Sequence, residues 1–314
     1  MSLHQAREEY LRWLLATRDL SPHTLRAYDC DIAAFERYLG ASSLVNQIDR
    51  DQLVAFMEDQ RKAGLSSMSI KRRASGLRGL CKWLLSRHLL DADPWIGATV
   101  ALGRSRKLPR VLPGHELNRL FFYLQREAGV VNAGNIDDTL PHPHESTTLL
   151  AVALMVATGV RVSELVGIQC HDIDLPSRSL KLTGKGRRER QVFLTNDWIT
   201  SLTHAYIKTR NALGVTHPRL LFNLHHAPLS PPAMRSRLAK AAQQAGLNAR
   251  LTPHMLRHTA ATQLIEAGVD IRYIQRLLGH ASLTTTEIYT HVSDRALRQV
   301  VSDADVLGRL PHPR

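Results

Sequence analysis

The chain has 314 residues, more than one ordinary domain needs, and its 44% apolar content is enough for two cores. A net charge of +13 and an isoelectric point near 10.1 favour a polyanionic partner. Cys30, Cys81 and Cys170 are odd in number, widely spaced and without a CxxC pair, which excludes a disulfide framework or a zinc finger; no stretch reaches transmembrane length, and MSLHQAREEYLRWLLATR contains acidic residues and no cleavable signal. A cytoplasmic, nucleoid-associated protein is expected.

The positive excess is shared, with 17 Lys and Arg against 12 Asp and Glu over residues 1–107 and 24 against 16 over residues 108–314. Both halves can therefore meet a polyanion. In the first hundred residues the apolar spacing predicts four or five short helices. Ser21-Pro22 starts one, in which Leu25, Tyr28, Ile32, Phe35 and Leu39 step by three and four before Gly40. Asp49 and Gln52 open another, which holds Leu53, Phe56 and Met57 and ends at Gly64. A further helix turns Ile70, Leu77, Leu80, Trp83 and Leu84 inward and leaves Lys71, Arg72, Arg73, Arg78 and Lys82 on a basic outer face. Lys71, Arg72, Arg73 and Arg78 are candidate DNA contacts.

Residues 128–147, AGVVNAGNIDDTLPHPHEST, read as a surface loop from their Gly, Pro, Asn and Asp content. Leu149 to Val156 are too continuously apolar for a surface helix, so a buried helix is expected to end at Thr158-Gly159, just before Arg161. Residues 180–183 and 190–194 flank Gly184-Lys185-Gly186 as two strands, with Lys185 on the hairpin tip. Arg235, Arg237 and Lys240 follow Ser230-Pro231-Pro232 on a helix whose Leu238 and Ala242 face inward; their face is weighed between plain solvation and contact with a DNA backbone. Thr252-Pro253 starts the next helix and puts His254 and Arg257 three apart in its first turn. Ile271, Ile274, Leu277 and Leu278 form another, which Gly279 ends, with His280 directly behind. Thr284 and Glu287 have capping-box spacing and open a short helix carrying Tyr289. Leu297, Val300 and Val301 then form a small apolar face that needs a pocket elsewhere to bury it, either on the next protomer or by folding back on its own domain.

These residue types suit one reaction. A phosphodiester under attack gathers charge on its non-bridging oxygens, which guanidinium groups match with paired donors and without losing a proton. Arg161 and Arg257 fit that role. A phenol with an ordinary pKa of about 10 must lose its proton as it attacks phosphorus, so Tyr289 needs an acceptor or hydrogen-bond partner, and His254 is the candidate. The departing sugar oxygen needs a proton, which Lys185 can deliver. His280 supplies a further donor. Glu164, three residues after Arg161, can orient a site arginine or histidine, and His258 is read as a packing or supporting residue. His142, His144, His225 and His226 offer no carboxylate or cysteine set, so no metal site is expected.

The ordered set ATGVRVSEL, GKGRRER, His254 to Arg257, Gly279-His280 and Tyr289 resembles the tyrosine recombinase family, closest to Xer-like bacterial recombinases and the integrases of mobile elements. The resemblance implies a mainly α protein with a small antiparallel β-sheet: a helical core-binding domain over residues 1–100, to which SPHTLRAYDCDIAAFERYLG is similar, a linker at 101–110, a catalytic domain over 111–295, and a tail over 296–314 that contacts another protomer. Glu164 matches the acidic position of the family motif. Also implied are a 3′-phosphotyrosyl intermediate with release of a 5′ hydroxyl, no cofactor, and a tetramer on double-stranded DNA with paired half-sites. An accessory protein or a second recombinase fits the same family. Against this reading stand a type IB topoisomerase, a metal-dependent tyrosine relaxase, and a non-catalytic DNA-binding regulator. The complete ordered site argues against the last, and the helical N-terminal domain and the tail against the first. The relaxase would need a histidine pair for a cation, for which His142-Pro143-His144 is poorly suited.

Overall fold

The computed structural model describes residues 1–18, 20, 22–40, 42–98, 111–130, 136, 139–184, 189–279, 294–306 and 308. The chain divides into two compact units, Met1–Lys107 and Leu108–Arg314. The expected cap Ser21 and the expected linker at 101–110 lie outside the described residues.

The first unit is built from α1 (Leu3–Thr17), α2 (Pro22–Leu39), α3 (Arg50–Lys62) and α4 (Ser67–Ser86). Helix α1 is closed by a reciprocal cap in which Ser2 Oγ accepts from the Gln5 N–H at 3.1 Å and Gln5 Oε1 accepts from the Ser2 N–H at 3.0 Å. Asp49 Oδ1 accepts from the Gln52 N–H at 2.8 Å, so α3 starts where the sequence predicts. Ile32, Phe35, Leu53, Phe56, Met57, Ile70, Leu77, Leu80, Trp83 and Leu84 are all buried, as their spacing requires. Leu25, Tyr28 and Leu39 are only partly buried against them. One carboxylate sits in this apolar interior. Asp31 on α2 is fully buried and is paired with Arg72 and with Arg73 Nε, the latter at 3.2 Å. A buried carboxylate is tolerable only when neutralised in this way, so the pair ties α4 to α2.

The second unit begins with α5 (Gly114–Ala128) and α6 (Pro143–Thr158), followed by the single turn α7 (Val162–Leu165). A three-stranded antiparallel sheet comes next, β1 (Ile173–Asp174), β2 (Ser179–Thr183) and β3 (Glu189–Phe193), in that spatial order. The predicted hairpin is β2 and β3, paired from Ser179 with Phe193 to Thr183 with Glu189; the short β1 was not predicted. Then follow α8 (Asp197–Ala212), α9 (Pro231–Gln244), α10 (Pro253–Glu266), α11 (Ile271–Leu278) and α12 (Asp294–Ala304). Leu149 to Val156 are completely buried, as expected for a helix apolar all round, and α6 packs among α5, α8 and α10.

One expectation needs correction. Residues 128–147 are not one surface loop: Pro143 occupies the first turn of α6, so residues 143–147 are helical. Val130 and Leu140 are buried, and the Leu140 N–H donates to Thr209 Oγ1 at 2.7 Å. Of the two places open to the apolar face of α12, the structure has it on its own unit. Leu297 and Val301 are buried with Ala304 and Val306 in the core of the second unit, while Val300 is half-buried. Asn196 Nδ2 donates to Asp305 Oδ1 at 2.7 Å beside them.

Candidate active site

The site is assembled where the C-terminal ends of α6 and α11 meet. Gly159 caps α6 in the left-handed region, with φ +61°, and a Cβ at that position would collide with the Leu278 side chain. Glycine thus allows both the turn and the close approach. Two residues later comes Arg161; α10, which packs on α6, supplies Arg257.

Three guanidinium groups converge on the last three carbonyls of this segment. Arg190 Nε donates to Leu277 O at 2.9 Å, Arg257 Nη2 to Leu278 O at 2.7 Å, and Arg161 Nη2 to Gly279 O at 3.1 Å. A helix C-terminus leaves such carbonyls without intrahelical partners and slightly negative, so cations gather there. Arg257 Nη1 also donates to Gly159 O at 2.6 Å. For Arg161 and Arg257 these and the Glu164 contacts occupy two side-chain nitrogens each among the described residues. A guanidinium has five N–H donors, and the rest suit an anion.

Among the described residues Glu164 is the single carboxylate in this cluster. Its side chain is 3% exposed. Oε1 accepts from Arg161 Nη1 at 2.9 Å and Arg190 Nη1 at 3.0 Å; Oε2 accepts from the Arg161 backbone N–H at 3.0 Å and Arg190 Nη2 at 2.8 Å. Burial alone would raise this carboxyl, but hydrogen bonds from Arg190 and Arg161 outweigh burial and hold it below the usual carboxylate range. Burial, and then the Arg161 guanidinium, push Arg257 down to about 10. Among the described residues, three cations against one anion in a partly buried space leave an uncompensated positive charge. An anionic ligand would relieve it.

His254 and Arg257 share the first turns of α10, which Thr252 caps by accepting from the Met255 N–H at 3.3 Å. They diverge: Arg257 is buried and His254 exposed. His258 is exposed as well, one turn beyond His254 on the same side, which overturns its reading as a packing residue. Lys185, His280 and Tyr289, and the short helix expected from Thr284, lie outside the described residues. Arg190 is the participant that sequence reasoning missed. It was read only as a strand residue, and the sole signal was its place in the GKGRRER run.

The candidate DNA contacts separate into two groups. Lys71, Arg72, Arg78, Arg235 and Lys240 are exposed, Arg72 while also pairing with Asp31, and the Arg78 guanidinium lies 4.7 Å from the centre of the Trp95 ring. Arg73 and Arg237 are turned inward instead. Arg73 bonds Asp31 and Gln60. Arg237 donates to His144 O at 2.9 Å and to Thr148 Oγ1 at 3.4 Å and meets His144 Nδ1. Their helical spacing suggested an outer face, but buried acceptors on neighbouring elements capture them.

Residues 123–296 match the phage integrase family, and residues 8–88 match the phage integrase N-terminal SAM-like domain. The chain is 32% identical over 314 residues to tyrosine recombinase XerC of Escherichia coli O157:H7 (strain EC4115), an alignment covering 99% of this chain and 97% of that protein. Its fold is shared with a lambda integrase (75-356) dimer bound to a COC′ core site, with a TM-score of 0.67, 21% identity, and coverage of 93% of this chain and 100% of that one. It is also shared with XerH site-specific recombinase bound to a palindromic difH substrate in a post-cleavage complex, with a TM-score of 0.67, 25% identity, and coverage of 88% and 79%. The topoisomerase and relaxase readings find no support in these matches.

Proposed function

This chain belongs to the phage integrase family, and on that premise we propose which of its residues carry the chemistry. It is a tyrosine site-specific recombinase, an enzyme that cleaves and rejoins DNA strands through a phosphotyrosyl intermediate. It binds DNA and oligomerises on it.

In the proposed mechanism Arg161 and Arg257 hold the non-bridging oxygens of the scissile phosphate, with His280 as a third donor. The Tyr289 oxygen forms a bond to phosphorus as its proton passes to His254. The bond from phosphorus to the 5′ oxygen breaks, and Lys185 gives that oxygen its proton. The bond energy is kept in the 3′-phosphotyrosyl ester, so a DNA hydroxyl can reverse the step and reseal the strand. The first unit serves as a DNA-clamping domain, using the exposed Lys71, Arg72 and Arg78, and Arg235 and Lys240 touch backbone from the second. The working assembly is a tetramer on two duplexes, each with paired half-sites.

The observation that carries this reading is the cationic surplus around Glu164: Arg161 and Arg190 bond this carboxylate, Arg257 bonds the carbonyls of Gly159 and Leu278 beside it, and Arg161 and Arg257 still present donors. Selecting randomised duplexes on the purified protein tests it. Recovery of two inverted half-sites, cleaved by the protein in excess chelator, is the expected outcome. Cleavage that needs added magnesium or manganese would contradict a phosphate held by side chains alone.

A further inference from the structure

We infer that Arg190 is a positioning residue for strand cleavage, one that keeps Arg161 available to the scissile phosphate by occupying Glu164. The inference rests on the recombinase reading above and extends it to a residue outside the proposed catalytic set. Arg190 lies on β3 opposite Leu182, one position in from the pair of Thr183 and Glu189, between which Lys185 falls in the sequence. All three of its guanidinium nitrogens are engaged, Nε on Leu277 O and both Nη atoms on Glu164. Its side chain is 14% exposed. Gly279 packs directly against it: a Cβ there would come 3.1 Å from Arg190 Nη1 and 3.2 Å from its Cδ and Cζ.

A carboxylate divides a limited number of acceptor positions among the donors around it. Glu164 has room for about four hydrogen bonds, and it receives four, two of them from Arg190 and one each from the Arg161 side chain and backbone. Arg161 is therefore held by a single side-chain bond to Glu164, and its side chain stays 38% exposed. Without Arg190, a buried carboxylate would keep one cation for two oxygens. The strongest available arrangement is then a two-bond fork from Arg161, which draws its donors away from the phosphate. Arg190 thus acts by saturating Glu164, and its loss should harm cleavage only while position 164 carries charge.

That sign dependence separates positioning from a merely structural role. Single-turnover cleavage at saturating selected duplex is measured for Arg190→Gln, Glu164→Gln and the double variant, together with thermal melting and DNA affinity. Arg190→Gln should cleave about 10²-fold more slowly, the size of loss that a small misplacement of a reacting group causes, with DNA affinity unchanged. Adding Glu164→Gln should restore at least about 10-fold, because the neutral amide no longer pulls on Arg161. A double variant slower than either single variant, or wild-type cleavage by Arg190→Gln, would overturn the inference. If Arg190→Gln does not fold, Arg190→Lys takes its place in the same comparison, since one ammonium cannot fill both oxygens in fork geometry, and the same two outcomes decide. Failure of the recombinase reading would look different: the wild-type protein itself would form no covalent adduct.

Discussion

Arg161 donates from Nη2 to the carbonyl of Gly279 at 3.1 Å, joining the turn that begins α7 to the residue that ends α11, immediately before His280. Gly279 holds this place with φ +65°, where an L side chain is strained, and with Arg190 pressed against the face a Cβ would take. Gly279→Ala should cost about 1–2 kcal/mol of stability for the left-handed backbone alone and should also slow cleavage by displacing both arginines. Denaturant unfolding and single-turnover cleavage check the two parts. An alanine variant equal to wild type in both would mean that the approach is not tight.

Acid should weaken the site through Glu164. Its folded carboxyl is held below its unfolded value, so the ion pairs add stability that is fully present above an ordinary glutamate pKa of about 4.3. That share is lost as pH falls through the lower folded value. Glu164→Gln should therefore be less stable than wild type near neutral pH, and the gap should narrow as pH drops below about 4.3. Unfolding free energies of the two proteins across this range test the sign; a constant gap would count against it.

Basic residues with similar spacing should respond differently to substitution. Arg235 and Lys240 are exposed, so replacing either with alanine should lower the salt dependence of DNA binding by about 0.9 per lost phosphate contact. Arg237→Ala should leave that slope unchanged and lower the melting temperature, because its guanidinium serves His144 and Thr148. Binding titrations over a range of salt concentrations, alongside thermal melts, distinguish the two behaviours.

Helix α12 should act first as part of its own unit. Leu297 is 1% exposed in the core that contains Phe193 and Ile199, so Leu297→Ala should destabilise the DNA-free monomer by roughly 2–5 kcal/mol. A monomer unaffected in chemical denaturation would return α12 to the role of a segment awaiting another protomer.

What could be read from the sequence was whatever is decided within a turn or two of chain. The Asp49 cap of α3, the Thr252-Pro253 start of α10, the glycine end of α11 and the β2 to β3 hairpin all follow from local chemistry. The continuous apolar run of α6 announced its burial in the same way. Long-range capture could not be read. Arg190 finds partners 26 and 87 positions away, and nothing in a strand's alternation points to them. Arg73 and Arg237 were misread for the same reason: periodicity gives a side chain's direction on its own helix, but not the buried Asp31 or the His144 carbonyl waiting beside it. Residues 143–147 were misassigned because proline reads as a breaker, although at the first helical position it is a starter.

In the proposed mechanism Tyr289 attacks a phosphate gripped by Arg161 and Arg257. The most direct measurement uses a nicked form of the selected duplex, from which the short fragment bearing the 5′ hydroxyl escapes after cleavage, so that rejoining is blocked and covalent protein accumulates. The account predicts an adduct on the 3′ phosphate that maps by peptide sequencing to Tyr289, formed in excess chelator, and absent from a Tyr289→Phe protein that binds the same duplex with wild-type affinity. An adduct that persists in Tyr289→Phe, or that maps to another residue, would contradict it.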